Sequence, residues 1–268
     1  MATTRAEEHR KAFAGRKRAF TITFAIVAIL FAGSAYLTNY NFIDGLTSIP
    51  QAAIWSVENL LPDERALDLL PGIISILFET ALVSVAVTVC ASITAFVFCI
   101  FGTDTMKPNA IVARAIRIVA AFFRNVPDAV WALLLLFSFG QNILTGFFAL
   151  FFTTFGFLTR TFIEMTDEVS SSCVEALKAT GASPLQIVAQ GIIPSAMAEI
   201  VSWVLYMVET NIRASTLIGI LTATGIGALF NLYYTRMDWP AAGLVVISLI
   251  VLVVAIEIVS SRIRKVIL

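Results

Sequence analysis

The stretch EALKATGASPLQIVAQGIIP, Glu175 to Pro194, is small, polar and punctuated by two glycines and two prolines, in a chain that is otherwise almost continuously apolar. Its local chemistry reads as helix, turn, helix. Just upstream, Ser172-Cys173-Val174-Glu175 has the spacing of a capping box, in which the serine hydroxyl takes the third-position amide and Glu175 reaches back to the serine amide. A helix is therefore expected to start at Ser172. Gly181 supplies a left-handed stop, Ser183-Pro184-Leu185-Gln186 repeats the box with proline at the first helical position, and Pro194 is expected to close the second helix. Two short helices would then present Ala176, Leu177, Ala179, Leu185 and Ile187 as a moderately apolar surface suited to a groove on another protein. The plainer alternative is an ordinary structured loop, and for Glu175 a capping role stands beside an interface role.

Working outward, 59% of the 268 residues are hydrophobic and only 13% are charged. With a mean hydropathy of +0.90, the chain belongs in a bilayer. Formal charge is balanced and the single histidine, His9, lies in the polar N-terminal segment. Neither a nucleic acid partner nor an acidic substrate is implied. Cys90, Cys99 and Cys173 lack CxxC or CxxH spacing, so no metal or disulfide is assigned. No GxxxxGK[ST] phosphate loop occurs, so any nucleotide chemistry must come from another chain. No nucleophile and base pair stands out, which argues against an enzyme.

A helix needs about 20 apolar residues to cross the hydrocarbon core. Six stretches reach roughly that length: Phe20 to Leu37, Gly72 to Phe101, Ile118 to Phe139, Thr145 to Ile163, Ala196 to Leu221 and Pro240 to Ser260. The third carries Arg124 and Asp128 and is read either as a straight span or as an interfacial helix that enters the membrane near Pro127. Arg5, Arg10, Lys11, Arg16, Lys17 and Arg18 precede the first span, and Arg262, Arg264 and Lys265 follow the last. By the positive-inside rule both termini are expected in the cytoplasm. The first span is read as an uncleaved anchor rather than a secretory signal. The segment 38–71, punctuated by Pro50, Pro62 and Pro71, is expected to form short helices at the outer surface.

With that topology, Glu175-Ala176-Leu177, then Gly181, then Ile193-Pro194 resembles the EAA loop of bacterial ABC importer permeases, whose pattern runs EAA, three residues, G, nine residues, I-x-L-P. Leu177 stands for the second alanine, Gly191 for the isoleucine and Ile193 for the leucine. In that family the loop forms coupling helices seated in a cleft of the ATPase subunit. The resemblance thus implies a coupling role for Glu175, Ala176, Leu177, Ala179, Gly181, Ala182, Ser183 and Leu185. Further stretches resemble the phosphonate permease branch: Glu79-Thr80; Arg124-Asn125-Val126-Pro127 with Val130-Trp131-Ala132; Ala179-Thr180-Gly181-Ala182-Ser183; and Glu209-Thr210-Asn211-Ile212-Arg213-Ala214 with Gly219 and Gly225-Ile226-Gly227.

A charge at mid-membrane costs at least about 2.5–3.5 kcal/mol, so Glu79, Glu209 and Arg213 need partners or water. Glu209 and Arg213 have the favourable order for a same-helix pair. The sharper reading has Arg213 with Asn211, and with Glu79 and Glu209 nearby, lining the path of an anion. Arg124 is expected at the interface, snorkelling or binding lipid phosphate. Gly219, Gly225 and Gly227 lack the flanking strand of a nucleotide fingerprint and are read as a kinked or broken segment near an outer gate. Trp131, Trp203 and the Phe-rich fourth span are read as lipid-facing or helix-packing.

The expectation is an all-α, polytopic integral membrane helical bundle like the type I ABC importer permeases, with a basic cytoplasmic segment (1–19) ahead of a permease domain (20–268). Within that domain, 38–71 is placed outside and 164–195 forms the cytoplasmic coupling loop. The resemblance implies a pore shared with a second copy or a related permease chain. It also implies a cytoplasmic ABC ATPase dimer carrying ATP and Mg, an external or periplasmic phosphonate-binding protein, and a site in the lipid of a bacterial inner membrane. No cofactor is assigned to this chain. A permease for phosphite, phosphate or an amino acid is the nearest alternative. A secondary transporter should show a set of intramembrane acids and internal repeats; deep in the spans stand chiefly Glu79 and Glu209, with Asp128, Glu199 and Glu257 nearer the ends, and no clear repeat. A channel-type pore is a third option.

Overall fold

The computed structural model describes the backbone of residues 2–104 and 106–267, and the side chains of 15–104, 106–168, 173–184 and 186–267. The chain divides into two compact units, 1–58 and 59–268. The first holds α1 (Ala2–Leu37) and nearly all of α2 (Phe42–Leu60). The basic segment and the first span are one helix, because no proline interrupts them; its apolar part, Gly15–Leu37, is long enough to cross a membrane. Asn39, in the left-handed region at φ 52, ends it, with the Tyr40 amide reaching back to the Ala35 carbonyl. Asn41 then caps α2 by accepting from the Ile43 and Asp44 amides. Of the short helices expected over 38–71, one is present at Glu64–Leu67; the stretch before it is corrected, since α2 runs unbroken through Pro50. A single missing amide does not stop a helix whose following residues, Gln51-Ala52-Ala53-Ile54-Trp55, are free of further breakers.

In the second unit, α3 (Glu64–Leu67) leads into α4 (Leu70–Gly102), with Pro71 in its first turn, where proline starts a helix. Next come α5 (Ala110–Asn125) and α6 (Asp128–Phe139), α7 (Ile143–Ala179), α8 (Pro184–Ile187), a π-turn (Val188–Ile192), α9 (Ile193–Thr222), α10 (Gly225–Thr235) and α11 (Trp239–Ile267). Among the described residues five helices are long and apolar enough to span a membrane, and six if α5 and α6 count as one span. That composite span is bent by 90°. Val126 sits in extended conformation ahead of Pro127, as the ring of a following proline demands, and the helix cannot run straight.

The two short helices expected around Gly181 are the ends of long ones. Helix α7 does not begin at Ser172 but passes through it, since the run Thr166 to Cys173 contains no glycine or proline; the Ser172 side chain lies outside the described residues. Nor does Pro194 close a helix. The π-turn ahead of it widens the spiral, with the Ile193 amide bonded to the Val188 carbonyl, and absorbs the ring and its missing amide. Helix α9 then continues to Thr222.

Small residues let these helices approach. Ala91, Ala95 and Cys99 of α4 pack against Phe155, Leu158 and Phe162 of α7. At Gly156 the α5 and α7 backbones touch: a Cβ there would lie 2.6 Å from the Arg124 amide nitrogen and 2.8 Å from the Ala120 carbonyl. Trp131 and Trp203 are packing residues. Trp131 stacks on Phe123, and Trp203 meets Phe157 edge-on.

Candidate functional site

The turn between α7 and α8 is built from its own sequence. Gly181, at φ +79, donates to the Lys178 carbonyl, and the Ala182 amide reaches the Leu177 carbonyl. These are the two bonds of a Schellman motif. The second capping box forms as read: the Ser183 amide donates to Gln186 Oε1 at 2.7 Å, and the Gln186 amide to Ser183 Oγ at 3.4 Å. The hairpin's inner side is a cluster of Val174, Ile187, Val188 and Ile192, joined by Leu177, Ala182, Ile100 and Met106. Ile187 is therefore buried, which corrects its placement on a docking surface. Glu175, Ala176, Ala179, Gly181 and Ser183 form the exposed ridge, and Leu177 and Ala182 are half-buried. The Leu185 side chain lies outside the described residues. Glu175 sits within α7 and caps nothing, because no helix starts at Ser172.

Below the hairpin, the end of α4 is tied to α5 and α7 by charge. Arg117 bridges Asp104 at 3.2 Å and Asp167 at 3.0 Å. Asp167 also accepts from Thr103 Oγ1 and the Asp104 amide. The Lys107 ammonium, aided by Arg117, holds the exposed Asp104 carboxyl below the usual carboxylate range. Met106, in the same connection, packs into the hairpin cluster, so this network fixes the root from which the hairpin projects.

At the far end of α9 the expected break is present. Ala223, in the left-handed region, caps α9, and α10 turns back across it with Gly219 and Gly227 backbone to backbone. A Cβ on Gly227 would stand 2.1 Å from the Thr216 carbonyl, and one on Gly219 2.4 Å from the Thr224 carbonyl. Gly225, at φ +58, lies under Thr80 of α4, whose hydroxyl accepts from the Ile226 amide at 3.0 Å. Glu79, one residue along, is exposed on the outer surface of this unit and has no ion-pair partner among the described residues. Glu79, Thr80, Ser215, Gly219, Thr224 and Gly225 border a cavity of ≈ 40 Å³, enough for a few waters.

Between these two ends lie the remaining charges. Glu209 and Arg213 form the same-helix pair, Oε1 to NH2 3.0 Å, with the carboxylate side chain 11% exposed and the guanidinium 51%. Arg213 is thus held from beneath and presented outward. Asn211 is turned away from that face: at 3% exposure it bonds Thr88 of α4 and Thr154 of α7, a polar brace across three helices. The sequence reading missed Tyr206 and Thr210, which share Arg213's face at helical spacing. That spacing was legible, but nothing local marks which face a helix leaves open.

Residues 88–267 match the family described as the binding-protein-dependent transport system inner membrane component. The chain is 29% identical over 255 residues, 95% of its length and 89% of the relative's, to HtxC of Stutzerimonas stutzeri, a permease protein assigned provisionally to phosphite transport. It is 25% identical over 190 residues, 71% of this chain and 36% of the relative, to the phosphate-import permease protein PhnE of Mycolicibacterium smegmatis. A solved chain of the MetNI methionine ABC transporter, in an inward-facing conformation, superposes with a TM-score of 0.66 at 20% identity, covering 77% of this chain and 99% of that one. The fold is the type I importer permease fold expected from the sequence.

Proposed function

The chain belongs to the family of binding-protein-dependent transport system inner membrane components, and from that premise we propose that it carries a phosphorus oxyanion, a phosphonate, phosphite or phosphate, across a bacterial inner membrane. It is a membrane-spanning transport subunit of an ABC importer, not an enzyme; ATP hydrolysis belongs to a separate subunit. The observation that carries the substrate class is the outward-facing Arg213, held by the nearly buried Glu209 within a membrane-spanning helix. A guanidinium so placed offers paired donors to a tetrahedral oxyanion. Its carboxylate partner lowers the affinity, so that the anion can leave. The phosphite and phosphate relatives support the same class.

The exposed ridge Glu175, Ala176, Ala179, Gly181 and Ser183 is the coupling surface for the ATPase, which holds ATP and Mg. Closure of the ATPase dimer moves the hairpins of two permease chains together and opens the path outward to a phosphonate-type binding protein; hydrolysis resets it. Both termini and the hairpin lie in the cytoplasm, and the α9–α10 break with Glu79 lies at the outer gate.

The test is uptake of labelled methylphosphonate by cells lacking the chain and by the same cells with it restored, with phosphite, phosphate and methionine as competitors. Restored uptake that phosphorus oxyanions block and methionine does not is the expected result, with Arg213→Ala weakening it about tenfold, the loss of one charge-assisted contact. Competition by methionine alone would overturn the substrate class.

A further inference from the structure

The sequence reading set Arg124 at the interface, snorkelling or binding lipid phosphate. Its packing against α7 points nearer to mid-span. Arg124 lies beside the 90° break of the composite span formed by α5 and α6. Its backbone also packs on Gly156, midway along the apolar stretch Ile143–Glu168 of α7. Half the hydrocarbon core is about 15 Å, farther than an arginine side chain reaches, so snorkelling does not relieve it. The side chain is nonetheless exposed on the surface of this unit, and no carboxylate pairs with it among the described residues. Its guanidinium stands over the Phe157 ring, 5.7 Å from the centroid. Facing lipid, that charge would cost at least about 2.5–3.5 kcal/mol; facing water, it costs little.

The surroundings connect this arginine to the face already described. Phe157 touches Tyr206 of α9 at a ring distance of 6.4 Å, and Arg213 follows Tyr206 on the same side of α9, two turns on. In the other direction, Arg160 lies about one turn beyond Phe157 toward the hairpin, paired with Glu164 at 2.6 Å. Arg160, Glu164, Ile163 and Arg117 line a crevice of ≈ 130 Å³. Guanidiniums therefore succeed one another from the middle of the membrane to the root of the hairpin. Arg213, Arg160 and Arg117 are each neutralised by a carboxylate, and Arg124 is not.

We propose that Arg124 and Arg160 form a second anion station on the translocation path, receiving the phosphorus oxyanion from Arg213 and passing it to the crevice at Arg117, with Phe157 and Tyr206 as its wall. The proposal rests on the reading of the cargo as a phosphorus oxyanion. Arg124 supplies attraction where hydration is poorest, and the paired arginines on either side keep each step weak enough for release, as conduction through several sites requires.

The test places a cysteine at the station. In a chain with Cys90, Cys99 and Cys173 changed to alanine, Arg124→Cys is purified with its ATPase, reconstituted in vesicles with ATP inside and the binding protein outside, and treated with two membrane-impermeant thiol reagents. One leaves a positive trimethylammonioethyl group and the other a negative sulfonatoethyl group. Methylphosphonate uptake is expected to fall about tenfold in Arg124→Cys, to recover with the positive adduct and to stay low with the negative one. Excess methylphosphonate should slow both reactions, and Arg124→Lys should keep most of the uptake, which a purely structural role for the guanidinium would not produce. Arg160→Gln, whose charge Glu164 already offsets, should lose less. The proposal is overturned if position 124 resists both aqueous reagents and reacts only with a lipid-soluble maleimide, or if the two adducts restore uptake equally. Failure of the cargo reading is separable: the native chain would then carry no phosphorus oxyanion, while the reagent reactions, which need no cargo, would still report whether position 124 lies on a water path.

Discussion

Two turns in this molecule each join a pair of helices through a left-handed residue, and they are held by opposite means. The turn from α7 to α8 needs nothing outside its own sequence: Gly181 has no atom within 4 Å of where its Cβ would stand, and the Schellman bonds and the Ser183 box close it locally. The turn from α9 to α10 is held from elsewhere. Gly219 and Gly227 press backbone on backbone, and the Ile226 amide is satisfied by Thr80, 146 residues away in the chain. A glycine thus answers to φ in one turn and chiefly to volume in the other. The first turn can travel with a partner protein without loosening the bundle; the second cannot move unless α4, α9 and α10 move together.

The largest effect should come from Gly227→Ala. Its methyl would sit 2.1 Å from the Thr216 carbonyl, backbone against backbone with no side chain to yield, so the cost should exceed the ordinary overpacking range of about 1–3 kcal/mol. Thermal unfolding of the purified permease should show a large loss, or the chain should fail to accumulate. An unchanged melting temperature would mean the two helices are not welded at this point. Next comes Thr80→Val, which keeps the shape and removes the acceptor of the buried Ile226 amide. An orphaned buried donor costs about 1–3 kcal/mol, and hydrogen exchange at Ile226 should speed up while the hairpin amides stay protected.

Local signals of this kind decided what the sequence could show. Gly181, Ser183 and Gln186 were legible because their partners lie within a few residues. Six apolar stretches were legible because span length is a property of composition. The Ser172 capping box misled because the same spacing occurs harmlessly inside a helix when no breaker precedes it. Asn211 looked like a path residue until α4 and α7 supplied Thr88 and Thr154, and no periodicity records the backbone contact of Arg124 with Gly156 of α7.

The hairpin offers a third test, of intermediate size. In the EAA pattern the positions of Leu177 and Gly191 carry alanine and isoleucine. Here a Cβ on Gly191 would lie 2.8 Å from Leu177 Cδ1, so bulk has moved from one side of the hairpin to the other. Gly191→Ile alone should destabilise the hairpin, Leu177→Ala alone should leave a void, and the pair together should recover part of both losses. A coupling of about 0.5–3 kcal/mol is the range for residues in contact. Additive losses would show that the two positions do not compensate, and that the departure from the pattern has another origin.

The smallest stability effect is expected at Gly181→Ala, and its smallness is the point. With open space around the Cβ position, the only penalty is the left-handed backbone, about 1–2 kcal/mol for an L-residue. Ala223 already accepts a φ of 54 elsewhere in the chain. Gly181→Asn should cost less than Gly181→Ala, because asparagine visits that region more readily. A melting temperature lowered as far as in Gly227→Ala would make the two turns equivalent and remove the distinction drawn between them. A small change in melting together with a large loss of uptake would sharpen it, since a ridge that barely contributes to folding would then be one whose exact backbone course the ATPase reads.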